Sequence, residues 1–352
     1  MLHKRKEYIL PAKIRTARAN KLLVISLSVL AGLSPQCLAA RLTIEAFDPP
    51  NSTRTVAVGI NSSGYITGFF DDSKTNRTRG FLRLDDGDIT AFDVPGSDVT
   101  APAAINSGGK ITGAYRLLNG GKFMGFIRDA RGNFTTFDSP NGVLEPSSIN
   151  DLGVAAGVFY NSNGVAQGFV RDAKGQIAIF NPTGATSVSS VRINNAGQIT
   201  GSFVGNGNHG FLRDRLGNIV VFDVPNAIAT RPDGINTFGQ VAGAFYDAIG
   251  VRHGFLRSPQ GKLELFDVPG SAFTEPAGIN DFGRIAGIFQ DGKLNTVRGF
   301  ERDESGQFIV FDGPHASVTD VRSLSLNSDV TGAFLDSSQN GRQRGYVVWV
   351  EE

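Results

Sequence analysis

Cysteine, methionine and tryptophan are almost missing from this 352-residue chain, which carries one Cys, two Met, one Trp and four His. A single thiol, Cys37, excludes a disulfide framework and a cysteine-rich metal site. The apolar run over residues 22–33 stops at twelve residues, short of the roughly 20 that a helix needs to cross a bilayer. Motifs with a chemical mechanism are missing too: there is no Gly-x-Ser-x-Gly elbow, phosphate loop, His-Glu-x-x-His or cysteine pair. Past the first 40 residues the histidines are His209, His253 and His315. A metal site built on His209 and His253 would lack an evident third ligand, so no metal or cofactor is expected.

Acidic residues are scarce at the start, where residues 1–40 hold seven Lys or Arg against Glu7. Their charge of +6 within a whole-chain value of +1 leaves the remainder at −5. A net-acidic body lacks the field that draws proteins to nucleic-acid phosphates or anionic membranes, so neither is expected as a partner. The basic leader, the short apolar run and Cys37-Leu38-Ala39 read as a signal peptide over residues 1–39, cleaved after Ala39. Retention as an anchor and acylation at Cys37 are the alternatives, the second opposed by Gln36. The expected location is the periplasm or the cell exterior, without stable membrane insertion after cleavage.

Glycine is abundant, with 44 copies beside 15 prolines and a hydrophobic content of 40%, which describes a turn-rich globular chain. An Ile-Asn or near equivalent recurs with asparagines at 61, 106, 150, 194, 236, 280 and 327, at intervals of 45, 44, 44, 42, 44 and 47. Periods in the forties mark a repeated supersecondary unit. Each copy holds four short strand-like runs, seen in the sixth over residues 276–279, 284–289, 298–302 and 307–311, as in a propeller blade. The second run carries a glycine in every copy (Gly68 to Gly332), which implies close approach of another backbone and is read as crowding near a propeller axis. Aromatic positions in the second, third and fourth runs use nineteen of the 26 Phe, enough to supply much of the core at roughly 1.5 to 3 kcal/mol per buried ring.

Phase decides the topology. The fourth-run motif stands before the first Ile-Asn, at Phe47-Asp48, and is missing after Gly345-Tyr346. Seven copies of every strand exist only if residues 42–47 join the last copy, as a ring does to remove its sheet edges. The expectation is an all-β chain, a single seven-bladed β-propeller of four-stranded antiparallel blades over residues 40–352, monomeric, with its ring closed by the N-terminal strand.

The pattern Gly-Ile-Asn-x-x-Gly-x-Ile-x-Gly followed by Gly-Phe-Leu-Arg resembles the bacterial extracellular HAF-repeat proteins, over residues 41–349. The resemblance departs from His-Ala-Phe by writing Gly-Phe, with a preceding His only at His209 and His253. It implies an exported, propeller-like protein with no assigned chemistry.

Residues repeated in every copy read as structure. The asparagines and the Asp of Phe-Asp-x-Pro (Asp48, Asp93 and their equivalents) suit turns. Arg83, Arg128, Arg171, Arg213, Arg257 and Arg302 at the ends of third strands read as exposed local pairs worth roughly 0 to 1 kcal/mol each. Function is sought where copies differ, in the loop between second and third strands. Copies five, six, seven and one there combine Asp247, Asp291, Asp336 and Asp72 with His253, Arg298, Arg344 and Arg79, and Arg77, Arg252 and Arg342 add donors. They form either a charged arc for an acidic or hydroxylated ligand or pairs across their own hairpins. Phe238 and Phe282, at equivalent turn positions of adjacent copies, are candidates to grip a sugar face or a protein. These features suggest an exported, non-catalytic binding or scaffold module for an envelope or extracellular glycan or a protein partner. The alternative is a carbohydrate-active hydrolase or lyase using Asp247, Asp291 or Asp336.

Overall fold

The computed structural model describes residues 41–139 and 141–351, so the leader, Cys37 and the expected cleavage site lie outside the described residues. Among those residues there are 28 strands and one short 3-10 turn over Ser337–Gln339. Antiparallel ladders join the strands four at a time, beginning with Ser52–Ile60, Ile66–Asp72, Arg77–Arg83 and Ile89–Phe92. The sixth unit consists of Ser271–Ile279, Ile285–Asp291, Val297–Arg302 and Phe308–Phe311, each within a few residues of its expected bounds except the first strand, which starts five residues earlier. Single parallel contacts, Thr78 with Val99, Asn208 with Ala229 and Val297 with Val318, merge neighbouring units into eight-stranded sheets. The architecture is all-β and propeller-like.

The last unit has three strands of its own, Ala316–Leu324, Val330–Asp336 and Arg342–Glu351. Its fourth is Arg41–Phe47, paired antiparallel along its whole length with Arg342–Glu351, from Arg41 opposite Glu351 to Phe47 opposite Gly345. Phe47 thus occupies the position that Phe92 and Phe311 hold in their units, packed on the glycine of the preceding strand.

Each hydrophobic cluster sits around the aromatics the repeat supplies, such as Phe92, Tyr115 and Phe126 in one and Phe289 and Phe300 in another. The third-strand rings Phe81, Phe126, Phe169, Phe211, Phe255, Phe300 and Tyr346 are fully buried. Buried threonines satisfy backbone groups at the corners: the amides of Val94, Val224 and Val268 each donate to the Oγ1 of Thr100, Thr230 and Thr274 at 3.0 Å.

The second-strand glycines are required for a reason other than crowding at an axis. A Cβ added at Gly68 would overlap the carbonyl of Val56 and meet the Phe81 ring, and the other units repeat this against their own first strands. The cause is a β-bulge in the first strand, where the register skips between Ala57 and Gly59, Pro102 and Ala104, Pro232 and Gly234, and their equivalents. A bulge adds one residue and re-aims the side chains around it.

The third-strand arginines differ from the expected exposed pairs. Arg83 is 2% exposed, and its guanidinium lies over the ring of Phe47. Arg128 over Phe92, Arg171 over Phe137, Arg213 over Phe180, Arg257 over Phe222 and Arg302 over Phe266 repeat the stack at 4.7 to 5.0 Å. Each arginine covers the fourth strand of the preceding unit, a cation–π contact in a desolvated place.

Candidate functional site

The strands Ser52–Ile60, Ser97–Ile105, Gly142–Ile149, Ser187–Ile193, Ala229–Ile235, Ser271–Ile279 and Ala316–Leu324 line one channel. Seven aliphatic side chains, Ile60, Ile105, Ile149, Ile193, Ile235, Ile279 and Leu324, are shared by its two mouths. At one mouth stand the turn asparagines. Asn61 Oδ1 accepts from the amides of Ser63 and Tyr65, as an Asx turn requires. Its Nδ2 donates to the carbonyl of Asn106 at 3.1 Å, and the relay continues through Asn106, Asn150, Asn194, Asn236 and Asn280. In the last copy the turn position belongs to Ser325, whose Oγ accepts from the amides of Asn327 and Asp329. Asn327, which the repeat placed there, lies two residues further on and donates to the carbonyl of Ser62 at 2.7 Å. Measured at Ser325, the long last interval shrinks to the common spacing.

Phe238 and Phe282 lie at this mouth's turns and are 66% and 65% exposed, each with its amide bound to the Oδ1 of Asn236 or Asn280. They are free aromatic surface.

On the opposite face, where second strands turn into third, the hairpin charges are paired and none of them lines the channel itself. Arg79 bridges Asp72 at 3.2 Å and Asp93 at 2.8 Å. Arg298 bridges Asp291 at 3.5 Å and Asp312 at 2.9 Å, and Arg344 bridges Asp336 at 3.2 Å and Asp48 at 2.7 Å. His253 stacks on Phe245 and reaches Asp267 at 2.8 Å and Asp247 at 3.5 Å. Each base therefore joins its hairpin acid to the Asp of the Phe-Asp-x-Pro corner, so those aspartates do more than close turns. Arg342 donates to the carbonyl and Oγ of Ser52.

Asp247, Asp291 and Asp336 all have carboxyls held below the usual range. In Asp247 the Val251 amide does most, in Asp291 the amides of Leu294 and Lys293, and in Asp336 the Ser338 hydroxyl. Burial alone would raise Asp72, but the Lys74 amide and Arg79 outweigh it. None of the four has the raised pKa that a general acid needs near neutral pH.

A second group of charges lies on the same face, on the first strands and, for Arg252, on a third strand; Arg192, Asp233 and Arg322 of this group line the channel. Arg231 Nε donates to Asp233 Oδ2 at 3.0 Å, and both Arg231 and Arg252 donate to Glu275. Arg252 also lies 3.7 Å above the Phe273 ring. Arg322 Nε donates to Asp320 Oδ2 at 2.6 Å. Asp233 and Asp320 are pushed upward by burial, against the pull of Arg231 and Arg192 on the first and Arg322 on the second. Burial would lower Arg231, yet Asp233 and Glu275 hold it well above its ordinary value. Arg192 goes down: burial disfavours its charge, Asp233 offsets part, and Arg322 and Arg231 add repulsion.

Of this inner group only Arg252 was anticipated from sequence. The signal was present in the runs before each Ile-Asn, where Val56 and Ala101 of two copies give way to Glu145, Arg231, Glu275 and Asp320 at equivalent positions. Chemically the mouth offers dense, directional hydrogen-bond donors and acceptors around a narrow polar well, which suits recognition of a polar ligand.

No family model matches the chain, and no curated protein is significantly similar to it. Solved structures are similar in fold. Virginiamycin B lyase from Staphylococcus aureus, a catalytically inactive variant with quinupristin, superposes with a TM-score of 0.60 at 14% identity, over 88% of this chain and 99% of that one. The β-propeller domain of the Trilobed protease from Pyrococcus furiosus, described as having an open velcro topology, gives 0.59 at 8% identity, over 84% and 95%. Puromycin hydrolase gives 0.58 at 14% identity, over 85% of this chain and 55% of that one. At these identities the likeness shows the β-propeller fold alone.

Proposed function

We propose that the chain is a seven-bladed propeller whose ring is closed by Arg41–Phe47, and that it serves as an exported binding module taking its ligand at the charged channel mouth. Closure is supported by the Arg41–Phe47 ladder, by the Asn327 bond to Ser62 and by a channel that draws its lining from all seven first strands. Export rests on the leader in the sequence, in line with the resemblance to extracellular HAF-repeat proteins. The ligand is an envelope or extracellular glycan or a protein partner.

The observation that carries a binding role is the state of the loop carboxylates. Asp247, Asp291 and Asp336 are each tied to a base and stabilised as anions, which equips them to hold a surface in shape and leaves a glycosidase without its proton donor. Two of the enclosed carboxylates, Asp233 and Asp320, have raised pKa values, but each already accepts from an arginine.

The test is thermal unfolding of the purified protein against a panel of envelope polysaccharides, beside an assay for released reducing ends. A bound ligand at 100 times its dissociation constant adds about 2.7 kcal/mol. A shift without product formation supports the module. Product formation that disappears in Asp291→Asn would establish the hydrolase or lyase instead.

A further inference from the structure

The residue just before the channel isoleucine is small in six units: Gly59, Ala104, Ser148, Gly234, Gly278 and Ser323. At two of them the wall demands it, since a Cβ at Gly234 would come within 2.8 Å of the Gly278 Cα and one at Gly59 within 3.2 Å of the Ile105 nitrogen, whereas one at Gly278 would meet nothing within 4 Å. The fourth unit places Arg192 there instead.

Its backbone is built to accept the change. Ser190 adopts a left-handed conformation at φ 53°, unusual for a residue with a side chain. The register of this unit jumps from Ser189 opposite Ser202 to Arg192 opposite Thr200. Val191, whose counterparts Asp233 and Arg322 line the channel, turns into the core and is fully buried, and Arg192 takes the channel position.

The other inner charges are paired, except Glu145, which is exposed and lies by Tyr160. Asp233 has Arg231, Glu275 has Arg231 and Arg252, and Asp320 has Arg322. Arg192 has no carboxylate within ion-pair distance among the described residues, and its one hydrogen bond runs from Nη1 to the carbonyl of Val191 at 3.1 Å. That carbonyl already accepts from Ser147 Oγ at 2.6 Å. Arg192 is half-buried on the channel wall beside two further arginines, and a partly desolvated guanidinium without a carboxylate is costly to maintain unless an anion completes it.

We infer that Arg192, facing Arg322 in the channel mouth, is the anchor for the carboxylate of a uronic-acid sugar in a glycan ligand. One unmatched cation calls for a monoanion, and the planar fork of arginine fits a carboxylate through two parallel bonds. The half-buried Tyr160 and Tyr246, at the ends of the second strands of the units on either side of the one carrying Arg192, offer amphipathic rings for a sugar face. This inference rests on the mouth being the binding face and adds the ligand class to it.

The experiment is calorimetric titration and thermal unfolding of the full chain with oligogalacturonate, a neutral cello-oligosaccharide, inorganic phosphate and a poly-glutamate peptide, in wild type, Arg192→Gln and Arg192→Met. Oligogalacturonate should bind wild type, and the neutral sugar at least roughly tenfold more weakly. Both variants should lose that preference while unfolding at the same or a higher temperature, because an uncompensated cation has been removed. An Arg192 that merely braces the fold would instead lower the unfolding temperature and leave the preference intact, which overturns the inference. Equal binding of both sugars to wild type and variants also overturns it and leaves the binding module standing. Tighter binding of phosphate or of the acidic peptide refutes the uronate assignment, and no shift with any glycan removes the glycan reading itself.

Discussion

The guanidinium of Arg83 lies 5.1 Å above the ring of Phe47, and its Nη2 donates to Glu45 Oε1 at 2.7 Å. Arg302 treats Phe266 and Glu264, of the unit just before its own in the chain, in the same way. A contact that elsewhere joins consecutive units therefore joins the first to a strand belonging to the last. Deleting residues 41–50 would strip that cover from a buried cation and expose the edge of Arg342–Glu351. The expected outcome is aggregation or unfolding, followed by light scattering and circular dichroism. A monomeric deletion mutant with native stability would refute ring closure.

The second-strand glycines predict a steep local penalty. A Cβ at Gly157 would overlap the carbonyl of Glu145 and touch Pro146, both of them backbone that cannot swing aside. Gly157→Ala should cost about 3 kcal/mol in urea unfolding, the upper end of overpacking effects. A loss below about 1 kcal/mol would mean that the bulge can relax.

Strand count, aromatic rings and the displaced N-terminal strand were legible because the backbone geometry is repeated seven times, so each requirement was written seven times. Phe47 could be matched to Phe92 and Gly68 to Gly113 without any structure. Three features were not legible. The bulge that explains Gly68 depends on register across strands, which spacing alone does not reveal. The burial of Arg83 depends on the neighbouring unit, and a charged residue next to a turn reads as exposed. Asn327 was misplaced because its copy departs from the pattern, with Ser325 doing the capping. The charged loops vary most in sequence but pair internally, whereas Arg192 stands in a first strand, where variation among copies does not by itself tell a paired charge from an unpaired one.

His253 predicts a pH dependence. Burial lowers its pKa, but Asp267 and Asp247 more than reverse this, so the folded protein holds the proton above the ordinary value of 6.5. His209 is raised chiefly by its hydrogen bond to Asp223. A raised histidine contributes stability fully below pH 6.5 and loses it as pH climbs through the folded pKa. The unfolding temperature should fall as pH rises above 6.5, less in His253→Arg, and least in His209→Arg with His253→Arg, because arginine stays charged throughout. A dependence of equal slope in the double variant would remove these histidines as its source.

Glu275 holds Arg231 and Arg252 together, and its side chain is only 14% exposed. Glu275→Ala would leave two arginines adjacent, with Asp233 the one remaining carboxylate on Arg231. Breaking a buried pair costs more than forming it gains, and partial exposure of the arginines moderates the loss to about 2 kcal/mol. Removing Arg231 as well should restore part of that loss, since the second change relieves the unpaired charge created by the first. A double-mutant cycle of Glu275→Ala and Arg231→Met, read by urea unfolding, measures the recovery. Strict additivity would show that the cluster is held by the surrounding strands and not by its own charges.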